Sequence, residues 1–157
     1  MPLTRTLVWQ GVDAPRMEIA HVRVDGRQLI AEGTQIGAGY ELRYVYDVDR
    51  LDTEIVGTST RQTFLLGDAD FFDLGYSPLF NTLPVLRDGL LNSGAGARDY
   101  VMQWVSVPDL TVERSEQRYE PFGDRRIRFS AGTFTAILDV DDDGFVTSYE
   151  GLATLVS

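Results

Sequence analysis

Apolar and polar residues alternate with a period of two through much of this chain, and that pattern constrains the fold more than any other feature. In Glu41–Val48 and Thr133–Val140 apolar residues recur at every second position, and Arg126–Phe129 repeats the pattern briefly. Such alternation predicts strands with one buried and one solvated face. Tyr100–Val107 is apolar on both faces, which predicts a strand covered by protein on one side and by protein or a cavity on the other.

Turn signals separate these segments at intervals of about ten residues, as expected for a sandwich, barrel or roll. Asp25-Gly26 predicts a tight hairpin turn between strands over residues 18–24 and 28–36. Gly37–Gly39 and Asn92–Gly96 mark further reversals, and the sequence shows neither an internal repeat nor a linker. We therefore expect residues 1–157 to form a single, mainly β, mostly antiparallel domain.

One segment interrupts this pattern and predicts the chain's one short helix. Ser77 is a good N-cap, and Pro78 suits the first helical position because that N–H has no partner within a helix. Pro84 should limit the helix to about two turns ending near Thr82, since the residue before a proline avoids the α region. A short helix in an all-β chain typically plugs or lines the interior of a curved sheet. This arrangement favours a cavity over a reaction centre.

Length and composition exclude several classes of protein. A chain of 157 residues with 43% hydrophobic residues can form one domain with a substantial core. It contains no cysteine, and therefore no disulfide, thiol nucleophile or zinc ribbon. No apolar run approaches the roughly 18 residues that a membrane span requires, and the first residues do not resemble a signal peptide. We expect a cytoplasmic protein without stable membrane insertion.

The charge of the chain argues against polyanionic partners. The formal net charge is −10, whereas nucleic-acid binding requires a basic surface. All 14 basic residues are arginine, so no lysine is present for a phosphate-binding loop or a Schiff base. We therefore expect no nucleic-acid partner.

The candidates for metal binding and catalysis each have a simpler explanation. Asp139–Glu150 matches a twelve-residue calcium loop, but the preceding residues alternate like a strand, so a hairpin is favoured. His21 is the one histidine, and no Gly-x-Ser-x-Gly segment accompanies it. The acid pairs Asp47/Asp49 and Asp68/Asp70 suit a solvated surface. We expect no enzymatic activity, metal or cofactor; an enzyme that uses His21 with a nearby acid is the alternative.

The segment Ser77–Arg87, SPLFNTLPVLR, resembles a bacterial family known as "putative glycolipid-binding". Val105–Leu110 and Leu138–Val146 follow in the same order as in that family, so the likeness covers nearly the whole chain. The family pattern has two consecutive arginines at positions 86 and 87, and Leu86 replaces the first of them here. If that arginine pair contacts an anionic head group, this chain keeps only Arg87 for the contact. The central positions that match are Asp73, Leu74, Ser77, Pro78, Asn81, Thr82, Leu83, Pro84 and Arg87.

The resemblance implies a spiral β-roll, an antiparallel sheet wrapped around one short α-helix, often as a homodimer. It also suggests a non-enzymatic binder of an amphipathic lipid or glycolipid. Burial of an acyl chain in an apolar cavity would contribute about 0.8 kcal/mol per CH₂. The candidates for the apolar lining are Phe80, Leu83, Met102 and Trp104, and those for polar contacts are Asn81, Thr82, Arg87, Gln117 and Tyr119. The alternative is a structural or dimerisation module with a filled core and no ligand.

Overall fold

The computed structural model describes residues 2–157, which form thirteen strands and one helical segment. The strands of the N-terminal half are β1 (Leu3–Gly11), β2 (Met17–Asp25), β3 (Gln28–Gly37), β4 (Tyr40–Asp47), β5 (Arg50–Ile55), β6 (Arg61–Leu65) and β7 (Phe71–Leu74). Those that follow the helical segment are β8 (Arg98–Val105), β9 (Val112–Pro121), β10 (Arg126–Ala131), β11 (Phe134–Val140), β12 (Val146–Tyr149) and β13 (Ala153–Leu155).

All thirteen strands belong to one open sheet in the order β6-β5-β4-β3-β2-β1-β13-β12-β11-β10-β9-β8-β7. The chain meanders outward from β1 to β6, and β8 to β13 meander back to pair with β1. Every neighbouring pair is antiparallel except β7 and β8, which run parallel because the helical segment connects them. The prediction of a mainly β, mostly antiparallel fold with one short helix is confirmed.

The helical segment begins as a 3₁₀ helix over Pro78–Asn81 and continues as α1 over Thr82–Asp88. The predicted end near Thr82 is therefore wrong. Pro84 lies in the first turn of α1, where its missing N–H would have no helical partner. The helix ends instead at Asp88 and is capped by Gly89, which adopts a left-handed conformation with φ 60°. Within residues 2–157, neither helical piece is long and apolar enough to cross a membrane.

The sheet winds around the helical segment and buries it. The 3₁₀ helix contacts β7 and β12 while α1 contacts β3, so both halves of the sheet meet the same short segment. Phe80 illustrates this packing, because its ring lies 5.8 Å from Tyr44 and 5.4 Å from Tyr46, measured between ring centroids. Edge-to-face contacts of this kind add to the free energy gained by burial. The helix is thus part of the core.

The predicted turns are confirmed, including the acidic one. The Asp25-Gly26 hairpin joins β2 to β3, and the calcium-like segment forms the hairpin between β11 and β12. In that hairpin Asp141 Oδ1 accepts hydrogen bonds from the backbone N–H groups of Asp143 and Phe145, each at 3.0 Å. Its other oxygen pairs with Arg5 at 2.7 Å. The carboxylate therefore stabilises the turn itself.

Candidate functional site

A cleft of about 310 Å³ opens on the inner face of the sheet, between the helical segment and the strands of the C-terminal half. Its walls combine carboxylate, amide and hydroxyl groups with several aromatic rings. The segment before and within the helix contributes Asp73, Leu74, Tyr76, Ser77 and Asn81. The strands and loops that follow contribute Trp104, Glu113, Arg114, Ser115, Gln117, Phe129, Ala131, Phe134, Tyr149 and Leu152.

Strand register brings these distant residues together. In the parallel pair, Asp73 of β7 lies beside Trp104 of β8, and Trp104 in turn lies opposite Glu113 of β9. Alternation along β9 then places Ser115 and Gln117 in the wall of the same cleft. The site is therefore held on strands, which position side chains more rigidly than loops do.

A chain of aromatic rings forms the far wall. Phe129 of β10 lies at its centre, with ring centroids 5.3 Å from Tyr119, 6.1 Å from Phe134 and 6.2 Å from Tyr149. Phe129 is buried, whereas 51% of Phe134 is exposed. The wall thus runs from the packed core to the surface and offers an apolar face along its whole length.

A carboxylate–amide pair, the half-buried Asp73 and the buried Gln117, forms the polar wall. Gln117 Nε2 donates to Asp73 Oδ2 at 2.7 Å and to Ser115 Oγ at 3.3 Å. Burial raises the pKa of Asp73 to about 6, although the hydrogen bond from Gln117 opposes the rise. Gln117 is only 4% exposed, yet its Oε1 accepts no hydrogen bond within residues 2–157. Such an unpaired acceptor is unusual, because buried polar atoms are nearly always satisfied.

Asn81 connects the helical segment to this wall. Its Nδ2 donates to the Tyr119 hydroxyl at 2.9 Å, and both residues are buried. Burial and the nearby Asp73 carboxylate both raise the pKa of Tyr119, so its hydroxyl stays protonated at neutral pH. The pair fixes the edge of the helix against β9 and so sets the width of the cleft.

Behind Ser77, a second buried polar cluster surrounds Glu18. The Glu18 carboxylate accepts from Ser77 Oγ at 2.6 Å, from the Tyr44 hydroxyl at 2.7 Å and from Gln35 Nε2 at 3.1 Å. Burial raises the pKa of Glu18, and these three hydrogen bonds oppose the rise. Gln35 also donates to the Gly75 carbonyl at 3.1 Å. The cluster therefore ties β2, β3 and β4 to the loop that precedes the helix.

Tyr76 forms part of the rim of the cleft in an unusual backbone conformation. Its φ of 61° lies in the left-handed region, which residues other than glycine rarely adopt. The Arg16 guanidinium lies 4.6 Å from the centroid of the Tyr76 ring, and Arg16 also donates to the Leu152 carbonyl at 3.4 Å. Strained residues of this kind concentrate at binding and catalytic sites.

The structure separates the residues that the sequence nominated for ligand contact. Asn81, Trp104 and Gln117 line the cleft. Tyr119 lies beside it as the partner of Asn81. Four others lie in the packed core: Phe80, Thr82, Leu83 and Met102. Arg87 lies outside the cleft.

Arg87 lies away from the cleft, on the surface of α1. Its guanidinium pairs with Asp88 at 3.2 Å and with Asp70 at 3.5 Å, and it stacks 4.4 Å from the centroid of the Phe71 ring. Burial lowers the pKa of Arg87, but the two carboxylates outweigh this effect and raise it overall. The side chain thus already has anionic partners on the surface.

Sequence reasoning did not nominate several residues that line the cleft. Asp73 and Ser115 are the most important of these, and Phe129, Phe134 and Tyr149 supply the aromatic wall. Ser115 could have been found, since it lies two positions before Gln117 on the same strand face. Asp73 is among the positions that match the family, but its contact with Gln117 could not be predicted, because the parallel pairing of β7 and β8 brings the two residues together.

A larger groove of about 500 Å³ lies on the outer face of β1, β2 and β3 and includes His21. It is a depression between outward-pointing side chains. His21 Nδ1 lies 2.9 Å from Thr6 Oγ1, and both residues are exposed. No buried polar atom without a partner lies among the described residues that line it. The smaller inner cleft is therefore the stronger candidate.

An open antiparallel sheet wound around one short helix places this chain among the β-roll proteins. The structure is similar to the crystal structure of a DUF1089 family protein from Pseudomonas aeruginosa, with a TM-score of 0.60 and 19% sequence identity. The match covers 98% of this chain and 90% of that one. The profile of the family described as "Putative glycolipid-binding" matches residues 55–154. The chain belongs to that family, as the sequence predicted. No curated protein matches it.

Proposed function

We propose that this protein is a non-enzymatic binder of an amphipathic lipid or glycolipid, which it holds in the inner cleft. The observation that carries the proposal is the cleft itself, in which aromatic rings line the same space as a half-buried carboxylate and a buried amide. Such convergence of a few polar groups on an apolar wall is typical of small-molecule sites. The family description supports a binding role in general.

The volume of the cleft determines how much of the ligand it would hold. At about 310 Å³ it lies near the lower end of the range of about 300–1,000 Å³ for ligand sites. It therefore suits a head group or a short stretch of chain, while the rest of the ligand extends past the exposed Phe134. The partners of Phe80 and Met102 are core side chains, so an acyl chain would not reach them without repacking.

Native mass spectrometry of the freshly purified chain, without delipidation, tests this proposal. We expect an adduct whose organic extract contains an amphipathic molecule. Ser115→Phe should remove the adduct, because the ring would occupy the cleft, whereas Ser93→Phe in an exposed loop should retain it. Repeated absence of any adduct across expression hosts would contradict the proposal.

A second candidate function is a dimerisation module, and the outer face of the sheet favours it. Met17, Ile19, Ile36 and Val45 expose apolar side chains there, between 40% and 50% of each. Met17 pairs directly with Ile36 across β2 and β3. Sedimentation equilibrium of the wild type and of Ile19→Asp tests this function: a dimer that the charge dissociates supports it, and a monomeric wild type excludes it.

A further inference from the structure

Asp73 presents one carboxylate oxygen to the inner cleft without a partner. Its Oδ2 accepts from Gln117 Nε2 at 2.7 Å, whereas no group of residues 2–157 donates to its Oδ1. In the same part of the chain, the fully enclosed side-chain atoms without a partner are Thr82 Oγ1 and Gln117 Oε1. Asp73 Oδ1 is not among them and therefore keeps accessible surface. Because Asp73 lines the cleft, a donor on a ligand there can reach this oxygen.

The other charged groups around the cleft do not balance this carboxylate. Glu113 adds a second acid to the lining. The arginine that lines the cleft, Arg114, pairs with Asp68 at 3.4 Å. At the rim, Arg16 pairs with Asp13 at 3.0 Å. The cleft therefore carries negative charge that its own arginines leave uncompensated, which repels an anionic head group and attracts a cation.

Aromatic rings lie in the same space as the free carboxylate oxygen. Trp104 lies beside Asp73 across the parallel strand pair and is half-buried. Phe134 exposes about half of its surface at the mouth of the cleft, and Tyr149 lines it more deeply. A cation gains energy within about 6 Å of an aromatic ring centroid, most of all beside tryptophan. A carboxylate among aromatic rings is thus the chemistry that recognises an organic ammonium group.

We propose that the cleft binds the protonated amine of an amphipathic ligand, whose N–H donates to Asp73 Oδ1 while its alkyl groups lie against Trp104 and Phe134. The inference rests on the proposed function and adds to it the head group that binds most tightly. Asp73 is the specificity-determining residue, since it supplies both the negative charge and the free acceptor.

Three amphiphiles with the same tail test the inference: decylamine, decyl maltoside and decyl phosphate, each titrated below its critical micelle concentration. Binding is measured by calorimetry on the full chain at about pH 7.5, where an alkylamine is protonated, as lysine is. We expect decylamine to bind at least about tenfold more tightly than decyl maltoside, because it forms a charge-assisted hydrogen bond. Decyl phosphate should bind most weakly of the three.

Two variants of equal net charge separate this site from general attraction to an acidic protein. Asp73→Asn should remove the preference for decylamine, because the amide is neutral. Asp99→Asn should retain it, since the exposed Asp99 pairs with Arg118 on the surface, away from the cleft. Both variants lose one negative charge, so only the position of that charge differs.

The pH dependence of the preference is a second readout. Burial raises the pKa of Asp73 to about 6, so lowering the pH from about 7.5 to about 5 protonates this carboxyl while decylamine stays charged. Burial and the nearby Asp73 charge raise the pKa of Tyr119 and of Tyr149, which stay protonated throughout. The affinity for decylamine should fall by about tenfold in the wild type. The fall should be much smaller in Asp73→Asn, which keeps Glu113.

Each other outcome has a definite meaning. Equal affinities, or tightest binding of the maltoside or the phosphate, would overturn the head-group inference while leaving the proposed binding intact. Failure of all three to bind would overturn both. A preference that persists in Asp73→Asn, that disappears equally in Asp99→Asn, or that falls equally with pH in the wild type and Asp73→Asn would overturn the assignment to Asp73.

Discussion

Replacing Asp73 by asparagine should stabilise the protein at neutral pH. The Asp73 carboxyl is enclosed by neighbouring side chains, although the residue keeps some exposed surface. Its hydrogen-bond donor is the neutral amide of Gln117, and no cation among residues 2–157 pairs with it. The free energy of charging this group in the folded protein is therefore incompletely offset. An asparagine keeps the shape and can still accept from Gln117.

The magnitude follows from the change in pKa. Burial raises the pKa of Asp73 from 3.8 to about 6, and each unit corresponds to about 1.36 kcal/mol. Between these values the folded state holds a proton that the unfolded state has lost, so the free energy of unfolding falls as the pH rises. Above pH about 6 the full cost of about 3 kcal/mol is reached; this is an upper limit, because the exposed part of the residue is solvated.

Urea unfolding measures this effect when it is followed by circular dichroism at about pH 3.5, 5 and 7.5 and each curve is fitted as a cooperative transition without intermediates. The difference between Asp73→Asn and the wild type should grow by up to about 3 kcal/mol from the lowest to the highest of these pH values. Asp99→Asn is the matched control, because Asp99 is 75% exposed and pairs with Arg118 on the surface. Parallel pH profiles for the wild type and Asp73→Asn would refute the reasoning.

Three further substitutions test other parts of the structure by urea unfolding. Gly144→Ala should lower the free energy of unfolding by about 1–3 kcal/mol, because Gly144 has a φ of 92° and an added Cβ would meet Val85. Gly94→Ala, with a φ of 81° in open space, isolates the backbone contribution. Equal losses in the two variants would contradict the packing argument. Ser77→Ala should cost about 2 kcal/mol through the lost hydrogen bond to Glu18; no loss would contradict that role. Phe80→Ala should lower the free energy of unfolding by about 3–5 kcal/mol and leave the affinity for decyl maltoside unchanged. A large loss of affinity would indicate that Phe80 contacts the ligand.

The strands and hairpins of this fold were predictable because their signals are local. Alternation in Glu41–Val48 and the Asp25-Gly26 turn each depend on residues within one hairpin. The helix was only partly predictable. Pro84 ends a helix when it lies in the interior, but the preceding 3₁₀ helix places it in the first turn of α1. The segment starts at Pro78 as predicted, but its first four residues are 3₁₀, so the α-helical part begins at Thr82 and the rule about proline did not apply.

The site was less predictable because it depends on long-range register. Gln117 and Asp73 are 44 residues apart and meet only because β7 pairs in parallel with β8. β7 has no alternation to reveal that pairing, since Phe71 and Phe72 are both buried. The family resemblance pointed to the helical segment, whose apolar residues Phe80 and Leu83 lie in the core. The polar candidates on β9 came closer, because alternate positions share a strand face.

The most direct test of the central claim is a titration of the ¹⁵N-labelled chain with decyl maltoside, followed by two-dimensional NMR. We predict saturable shifts of the side-chain amides of Gln117 and Asn81 and of the Trp104 indole, all of which line the cleft. The Trp9 indole, which donates to a buried carbonyl at 2.7 Å, should remain unchanged. Shifts confined to outward-facing residues of β2, β3 and β4, or no saturable shift at all, would contradict a binding site in the inner cleft.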